Sequence, residues 1–197
     1  MSVIILDTET SGLTAKDQVI ELAYMVLDND MPKLIANSTF NQRYRPTAKI
    51  HAKAQEVHGI GFRDLLSCPS TTKIELPEIT YMIGHNIAFD VRLLRQSNPN
   101  LAEQLDNIKY ICTKQLVLRV EKQFKIPFLN HKLDTLIRHY YPDIVEELIP
   151  AKHEALSDCV KCFVLMKKIF ELIPAIDTWD KLYNFQETLN KDVYAKK

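Results

Sequence analysis

The run Val3-Ile4-Ile5-Leu6 ends on Asp7-Thr8-Glu9, and this junction constrains the chain more than any other stretch of it. Four consecutive branched apolar residues leave no side for water, so the run suits a strand covered on both faces, at the centre of a sheet. Asp7 and Glu9 then project to the same side of an extended chain, roughly 6.5–7 Å apart. Two carboxylates facing one point at the edge of an apolar core repel each other and lose hydration. A divalent cation between them relieves both costs. The alternative is a pair of solvated loop acids, which needs no such partner.

Two further strands, Val19 to Leu27 and Lys33 to Tyr44, are spaced to form an antiparallel meander with the first. From there strands alternate with helices. A short helix runs from Ala52 to Val57 and ends at Gly59, a helical turn covers Phe62 to Leu66, and Ser70-Thr71-Thr72 caps a short helix that Pro77 ends. Ile79 to Ile83 is a strand, and Asn86 is expected to cap a helix through Gln96. Ile108 to Cys112 is a strand, and Thr113 is expected to cap a helix through Phe124. Helices follow at Leu133 to Tyr140 and at Glu154 to Leu172. The second carries Ala155, Cys159, Cys162, Phe163, Met166, Ile169 and Phe170 at three- and four-residue spacing, the mark of a core face. Cys159 and Cys162 therefore read as buried thiols rather than a metal pair. The pattern predicts an α/β fold, a mixed sheet with helices packed on it.

Length and composition set the frame. The 197 residues suit one domain, residues 1–174, with a short helical extension over 175–197 whose Trp179, Leu182, Phe185 and Leu189 pack back on it before the chain frays from Asn190. No apolar run approaches the ~18–20 residues that span a bilayer. The N-terminus lacks the basic and apolar parts of a leader, and the four cysteines make no disulfide framework. A cytoplasmic protein without a membrane partner is the expectation.

Two more segments carry chemistry. In His85-Asn86-Ile87-Ala88-Phe89-Asp90, a strand ends at Gly84 and Asp90 falls in the first turn of the next helix, where a carboxylate is favoured. On its own it could be an ordinary first-turn acid. In His153-Glu154-Ala155-Leu156-Ser157-Asp158, positions i and i+5 of one helix lie about 140° apart. If both act at one site, His153 must sit on the loop ahead of the helix and Asp158 on the helix. Together the segments supply four carboxylates and an imidazole, the parts needed for two-metal hydrolysis of a phosphodiester. Mg²⁺ takes a few carboxylates and completes its shell with water and substrate, and a neutral histidine accepts the proton of the attacking water.

Asp7-x-Glu9, His85-Asn86-x-x-Phe89-Asp90 and His153-x4-Asp158, in this order and spacing, resemble the three motifs of the DEDDh 3′→5′ exonucleases. Thr10-Ser11-Gly12-Leu13, Val57-His58-Gly59-Ile60 and Leu133-Asp134-Thr135-Leu136 fit the same family. Ile111-Cys112-Thr113, the compact size and Ala155-Leu156-x-Asp158-Cys159 make it most similar to the bacterial exonuclease X family. The resemblance runs from about Met1 to Leu172. It implies a ribonuclease H-like sheet with helices on both faces. It also implies that Asp7, Glu9, Asp90 and Asp158 hold two Mg²⁺, for which Mn²⁺ can substitute, and that His153 is the general base. Thr8 (through its backbone) and Thr10 would meet the terminal nucleotide, Leu13 would wedge against bases, His58 and Ile60 would border the terminal sugar and base, and Asn86 and Phe89 would shape the pocket. The substrate implied is the 3′ end of DNA, chiefly single-stranded, cut to 5′-monophosphates in repair or end processing by a monomer or homodimer. The broken stretch from Cys68 to Pro77 and the short C-terminal extension depart from the family pattern.

The net charge is zero, with 25 basic and 25 acidic residues, which excludes a uniformly basic nucleic-acid coat. Residues 31–55 and 109–139 each nevertheless carry a net +5. Either can be a solvated face or a track for the phosphate backbone. Phe124 and Phe128, set among the second group, can stack on bases or pack in the core. Two other functions stay open at this point: the same chemistry on RNA, whose recognition rests on 2′-OH contacts, and an inactive module that only binds nucleic-acid ends or a polymerase. Retention of all four acids and the histidine argues against the inactive module.

Overall fold

The structure, a computed structural model, describes residues 2–29, 34–148 and 153–194. Five strands form one mixed sheet in the order β3-β2-β1-β4-β5. They are β1 (Ser2–Thr10), β2 (Val19–Leu27), β3 (Leu34–Arg43), β4 (Ile79–Gly84) and β5 (Lys109–Cys112). β1, β2 and β3 pair antiparallel, whereas β4 and β5 join β1 in parallel. The apolar run of β1 is central, as its composition requires. The helices are α1 (Ala52–His58), α2 (Ala88–Ser97), α3 (Ala102–Asp106), α4 (Thr113–Phe124), α5 (Leu133–Tyr140), α6 (Val145–Leu148), α7 (Ala155–Leu172) and α8 (Trp179–Tyr194). The stretch from Cys68 to Pro77 holds a single 3₁₀ turn, Thr71–Lys73, whose Thr72 N–H is capped by Ser70 Oγ.

The alternation of β1 decides which helices meet which acids. Val3 and Ile5 face a core shared with α4, α5, α7 and α8 and filled by Ile111, Leu116, Ile137, Cys159, Met166 and Trp179. Ile4 and Leu6 face the opposite core, with Leu93, Leu94 and Leu105 of α2 and α3. Continued by two-residue steps, Asp7 and Glu9 lie on the α7 side and Thr8 on the α2 side. The thiols of Cys159 and Cys162 are buried in the first core.

Of the helix caps expected from sequence, Ser70 is in place, and those at Asn86 and Thr113 are replaced. Asn86 does not cap α2. It adopts φ 73°, and α2 starts at Ala88 behind Ile87. This left-handed residue turns the chain sharply off β4, a conformation that asparagine tolerates. Gly84 makes the turn possible, since a Cβ there would lie 2.9 Å from the Leu6 carbonyl oxygen and 2.7 Å from Ile87 Cδ1. Thr113 is already the first residue of α4, and its hydroxyl is used instead by the Gly84 carbonyl and by His85 Nδ1 at 2.9 Å.

The C-terminal segment packs on the sheet. Trp179 and Leu182 are buried in the α7-side core, and Trp179 Nε1 donates to the Asp28 carbonyl. Gln186 takes the Cys112 N–H at 2.6 Å and donates to the Tyr110 carbonyl at 3.0 Å, so the open edge of β5 is covered. The backbone of α8 runs past Asn190 to Tyr194. The side chain of Leu189 and all of Lys33 fall outside the described residues. No helix among the described residues is long and apolar enough to cross a membrane.

Candidate active site

Three elements deliver the acids to one end of β1. Asp7 and Glu9 come directly from the strand. Asp90, in the first turn of α2, reaches over the α2 face, where Thr8 donates to Asp90 Oδ1 from its backbone N–H at 3.1 Å and its hydroxyl at 2.7 Å. Asp158 stands in the first turn of α7. That helix start is fixed by β2: Glu21, buried and paired with Arg43 at 2.9 Å, accepts the Ala155 N–H at 3.2 Å. His153 precedes the helix, as its spacing from Asp158 demands. Its N–H donates to the Val57 carbonyl, and its Nδ1 lies 3.1 Å from Asp158 Oδ2.

The electrostatics of this cluster are unbalanced. Burial, then the charges of Asp90, Asp158 and Glu9, hold the Asp7 carboxyl well above the ordinary carboxylate range. Burial and the Asp158 charge push Glu9 up to about 8. Burial also pushes Asp90 up to about 7, against the hydrogen bonds from Thr8. Asp158 goes the other way. Burial opposes its ionisation, but the His153 hydrogen bond and the Lys161 ammonium outweigh it and hold the carboxyl below its usual value. The same hydrogen bond raises the His153 imidazole. One ionised acid thus repels three that are reluctant to ionise.

Such a set fits a divalent cation. Ligand atoms of Glu9, His153 and Asp158 lie within 4.8 Å of one another. Carboxylate oxygens backed by an imidazole suit Mg²⁺ or Mn²⁺. A cation bound there would relieve the repulsion that raises these carboxyls.

Two cavities flank the acids. One, about 440 Å³, is lined by Thr8, Glu9, Thr10, Leu13, His51, Lys53, Val57, His58 and Phe89. Leu13 projects into solvent at its rim, with 76% of its surface exposed. The other, about 700 Å³, is lined by Asp7, Asp158, His153, His85, Asn86 and Asp134 and by the basic Lys114 and Lys132. Of the residues singled out from sequence, Thr8, Thr10, Leu13, His58 and Phe89 line the first cavity and Asn86 the second. Thr8 is already committed to Asp90, Thr10 Oγ1 to the Gly12 carbonyl, and His58 Nδ1 to the Ile60 N–H. Ile60 is placed elsewhere, in a small core with Ile20 and Leu65.

The basic stretches divide by use. Lys53, Lys114 and Lys132 border the cavities. Arg43 serves Glu21, Arg45 the Leu66 carbonyl, Lys109 Asp180 and Tyr81, and Arg119 stacks over Phe185. Phe128 packs edge-on against His139 and Tyr140, a core role, whereas Phe124 is exposed. Sequence reasoning missed Lys161, buried beside Asp158. The available signal was a lysine one turn beyond a proposed ligand, on a helix whose other faces are mostly apolar.

A ribonuclease H-like sheet with four acids and a histidine gathered at the end of its central strand defines a metal-dependent nuclease. The sequence signature of the exonuclease family RNase_T spans residues 4–166, and the chain belongs to that family, within the DEDDh superfamily of nuclease hydrolases. Its fold is similar to exonuclease X in complex with 5′-overhanging duplex DNA: TM-score 0.68, 21% identity, covering 93% of this chain and 99% of that one. It is also similar to Exonuclease I of E. coli in complex with a dA16 oligonucleotide, with TM-score 0.71 and 15% identity over 93% of this chain. The moderately thermophilic Exonuclease I from Methylocaldum szegediense gives TM-score 0.67 and 17% identity over 93% of this chain. The chain spans 42% of the length of each of these two Exonuclease I structures. No curated protein matches the chain in sequence.

Proposed function

We propose that the protein is a 3′→5′ exonuclease that removes 5′-nucleoside monophosphates from single-stranded DNA ends, in DNA repair or end processing. The observation that supports this most is the pair of cavities meeting at the acid cluster. One, about 440 Å³, takes Ala54, Val57 and His58 of α1 on one wall, and the other, about 700 Å³, carries Lys114 and Lys132. In this reading the terminal nucleotide occupies the first cavity and the strand leading to it follows the second.

Asp7, Glu9, Asp90 and Asp158 would hold two Mg²⁺, with Mn²⁺ as a substitute. The chemistry such ions would supply is polarisation of the scissile phosphate, activation of an attacking water and stabilisation of the leaving oxygen. The chain's own residues do the rest. Thr8 fixes Asp90 through two donors to Oδ1, which leaves its other oxygen for the metal. His153, with Nδ1 turned to Asp158, presents Nε2 to accept the proton of the water. The exposed Leu13 at the rim separates the last base from its neighbour. Lys114 and Lys132 pair with phosphates of the incoming strand. A cytoplasmic monomer or homodimer is consistent with this role.

The test uses DNA and RNA strands labelled at the 3′ or 5′ end, with Mg²⁺, Mn²⁺ or EDTA. Release of labelled mononucleotide from 3′-labelled DNA, a ladder from 5′-labelled DNA and no reaction in EDTA are expected. Faster cleavage of RNA moves the substrate to RNA with the chemistry kept. Tight binding of ends without cleavage makes the protein a binding module.

A further inference from the structure

Among the described residues Lys161 is a fully buried lysine, with 1% of its side chain exposed. A protein interior accepts an ammonium only with partners. Lys161 has two: its Nζ donates to Asp134 Oδ1 of α5 at 2.7 Å and contacts Asp158 Oδ1, three residues back along α7. Asp158 Oδ2 is taken by His153. Both oxygens of one proposed ligand are therefore engaged within the protein. Lys161 lines neither cavity, so it reaches no substrate and has no step in the reaction described above.

We propose that Lys161 is a built-in counter-cation of the metal site, a positioning residue that pins Asp158 Oδ1 and sets how weakly the site holds a divalent ion. The idea rests on the reading of Asp7, Glu9, Asp90 and Asp158 as ligands of that ion. A fixed positive charge touching one ligand competes with a double positive charge arriving at the same carboxylate. In a half-buried site this repulsion is far larger than in water. Affinity for the ion alone is lowered, and the negative phosphate of a bound strand restores it. Ion and nucleic acid then bind cooperatively, and the ion is held firmly only when substrate is present.

The experiment is calorimetric titration of Mn²⁺ into the full chain without nucleic acid, with circular dichroism to check folding. Lys161→Gln removes the charge and should bind Mn²⁺ roughly tenfold more tightly than the native protein. The same variant should gain less Mn²⁺ affinity from an added uncleavable phosphorothioate strand. Tightening is the informative sign, because a merely structural triad, once broken, frees Asp158 and weakens binding. Lys161→Met combined with Asp134→Leu replaces the buried ammonium and its half-buried partner by apolar groups, a change interiors often accept, and carries the same expectation if Lys161→Gln does not fold. Unchanged or weaker binding in the folded variants overturns the proposal, as does failure of both to fold. No binding of Mn²⁺ by the native protein overturns the reading of the acids as ligands, and this inference with it. Binding by the native protein with no tightening in the variants overturns the role of Lys161 alone.

Discussion

Burial and three neighbouring carboxyls all resist the ionisation of Asp7. Perturbed carboxyls of this kind cluster at functional sites, in line with the ligand role proposed for Asp7. Asp7→Asn removes the repulsion and a ligand together. Hydrolysis should fall by ~10³-fold or more, given the several kcal/mol that a bound metal supplies, while the metal-free protein should melt about 2–4 °C higher. Nuclease assays paired with melting curves in EDTA check both, and a variant that is inactive because it is unfolded shows the opposite melting shift. His153 behaves differently, because it must be neutral to accept a proton. Asp158 raises its pKa, so activity should climb with pH through a value above the ordinary 6.5. His153→Ala should cost ~10²–10⁴-fold in rate and flatten that limb of the pH–rate profile. A limb that persists in the variant assigns the base elsewhere. Asp7, Glu9, Asp90, His153 and Asp158 stood out in sequence because three motifs, each weak alone, occur in one order and spacing that together resemble a known family. Lys161 did not, since its meaning comes from Asp134, 27 positions away and on another helix.

The elements act as rigid carriers, and their junctions set the geometry of the site. β1 sends Asp7 and Glu9 to one face and Thr8 to the other, so Asp158 and Asp90 approach from opposite layers. Strand and helix positions followed from apolar periodicity, which is local. The starts of α2, α4 and α7 did not follow from capping residues, because each is fixed by tertiary partners: the left-handed Asn86 after Gly84, the Thr113 hydroxyl bonded to the Gly84 carbonyl, and Glu21 of β2 on the Ala155 N–H. Ile60, which the resemblance set beside the terminal nucleotide, turns toward Ile20 and Leu65, a contact that only the folded chain reveals. Gly84 is the test at this scale. Gly84→Ala forces a methyl to 2.9 Å from the Leu6 carbonyl oxygen, which only backbone movement can relieve. The expected cost is about 1–3 kcal/mol in urea unfolding, the usual penalty of overpacking. Because α2 must shift, Asp90 leaves Thr8, and kcat should drop even where the variant is fully folded. Unaltered kcat in a destabilised Gly84→Ala protein would mean that Asp90 does not need this placement.

At the scale of the whole molecule, the zero net charge resolves into an acidic centre with lysines along its flanking cavities, while other basic residues, Arg43 and Lys109 among them, are engaged in structural pairs. The acidic centre couples stability to pH and to metal. Glu9 and Asp90 have ordinary values of 4.5 and 3.8 when unfolded and are raised to about 8 and about 7 in the fold. Between those limits the native state keeps protons that the unfolded chain has released, so stability falls as pH rises through the window. His153, also raised, adds in the same direction, because its pairing with Asp158 is lost as it deprotonates. Asp158 is lowered and works oppositely, but its contribution is lost only as pH falls below the ordinary carboxylate range. In EDTA the melting temperature should therefore decline from pH 5 to pH 8. A divalent ion that binds only the native acids reverses this by mass action, and binds better once they are ionised. Saturating Mg²⁺ should raise the melting temperature by several degrees at pH 8 and by little at pH 5. Differential scanning calorimetry at both values, with and without Mg²⁺, measures the difference directly. An equal Mg²⁺ effect at the two pH values would place the ion away from Glu9 and Asp90, and the metal reading of the site would fail at its most exposed point.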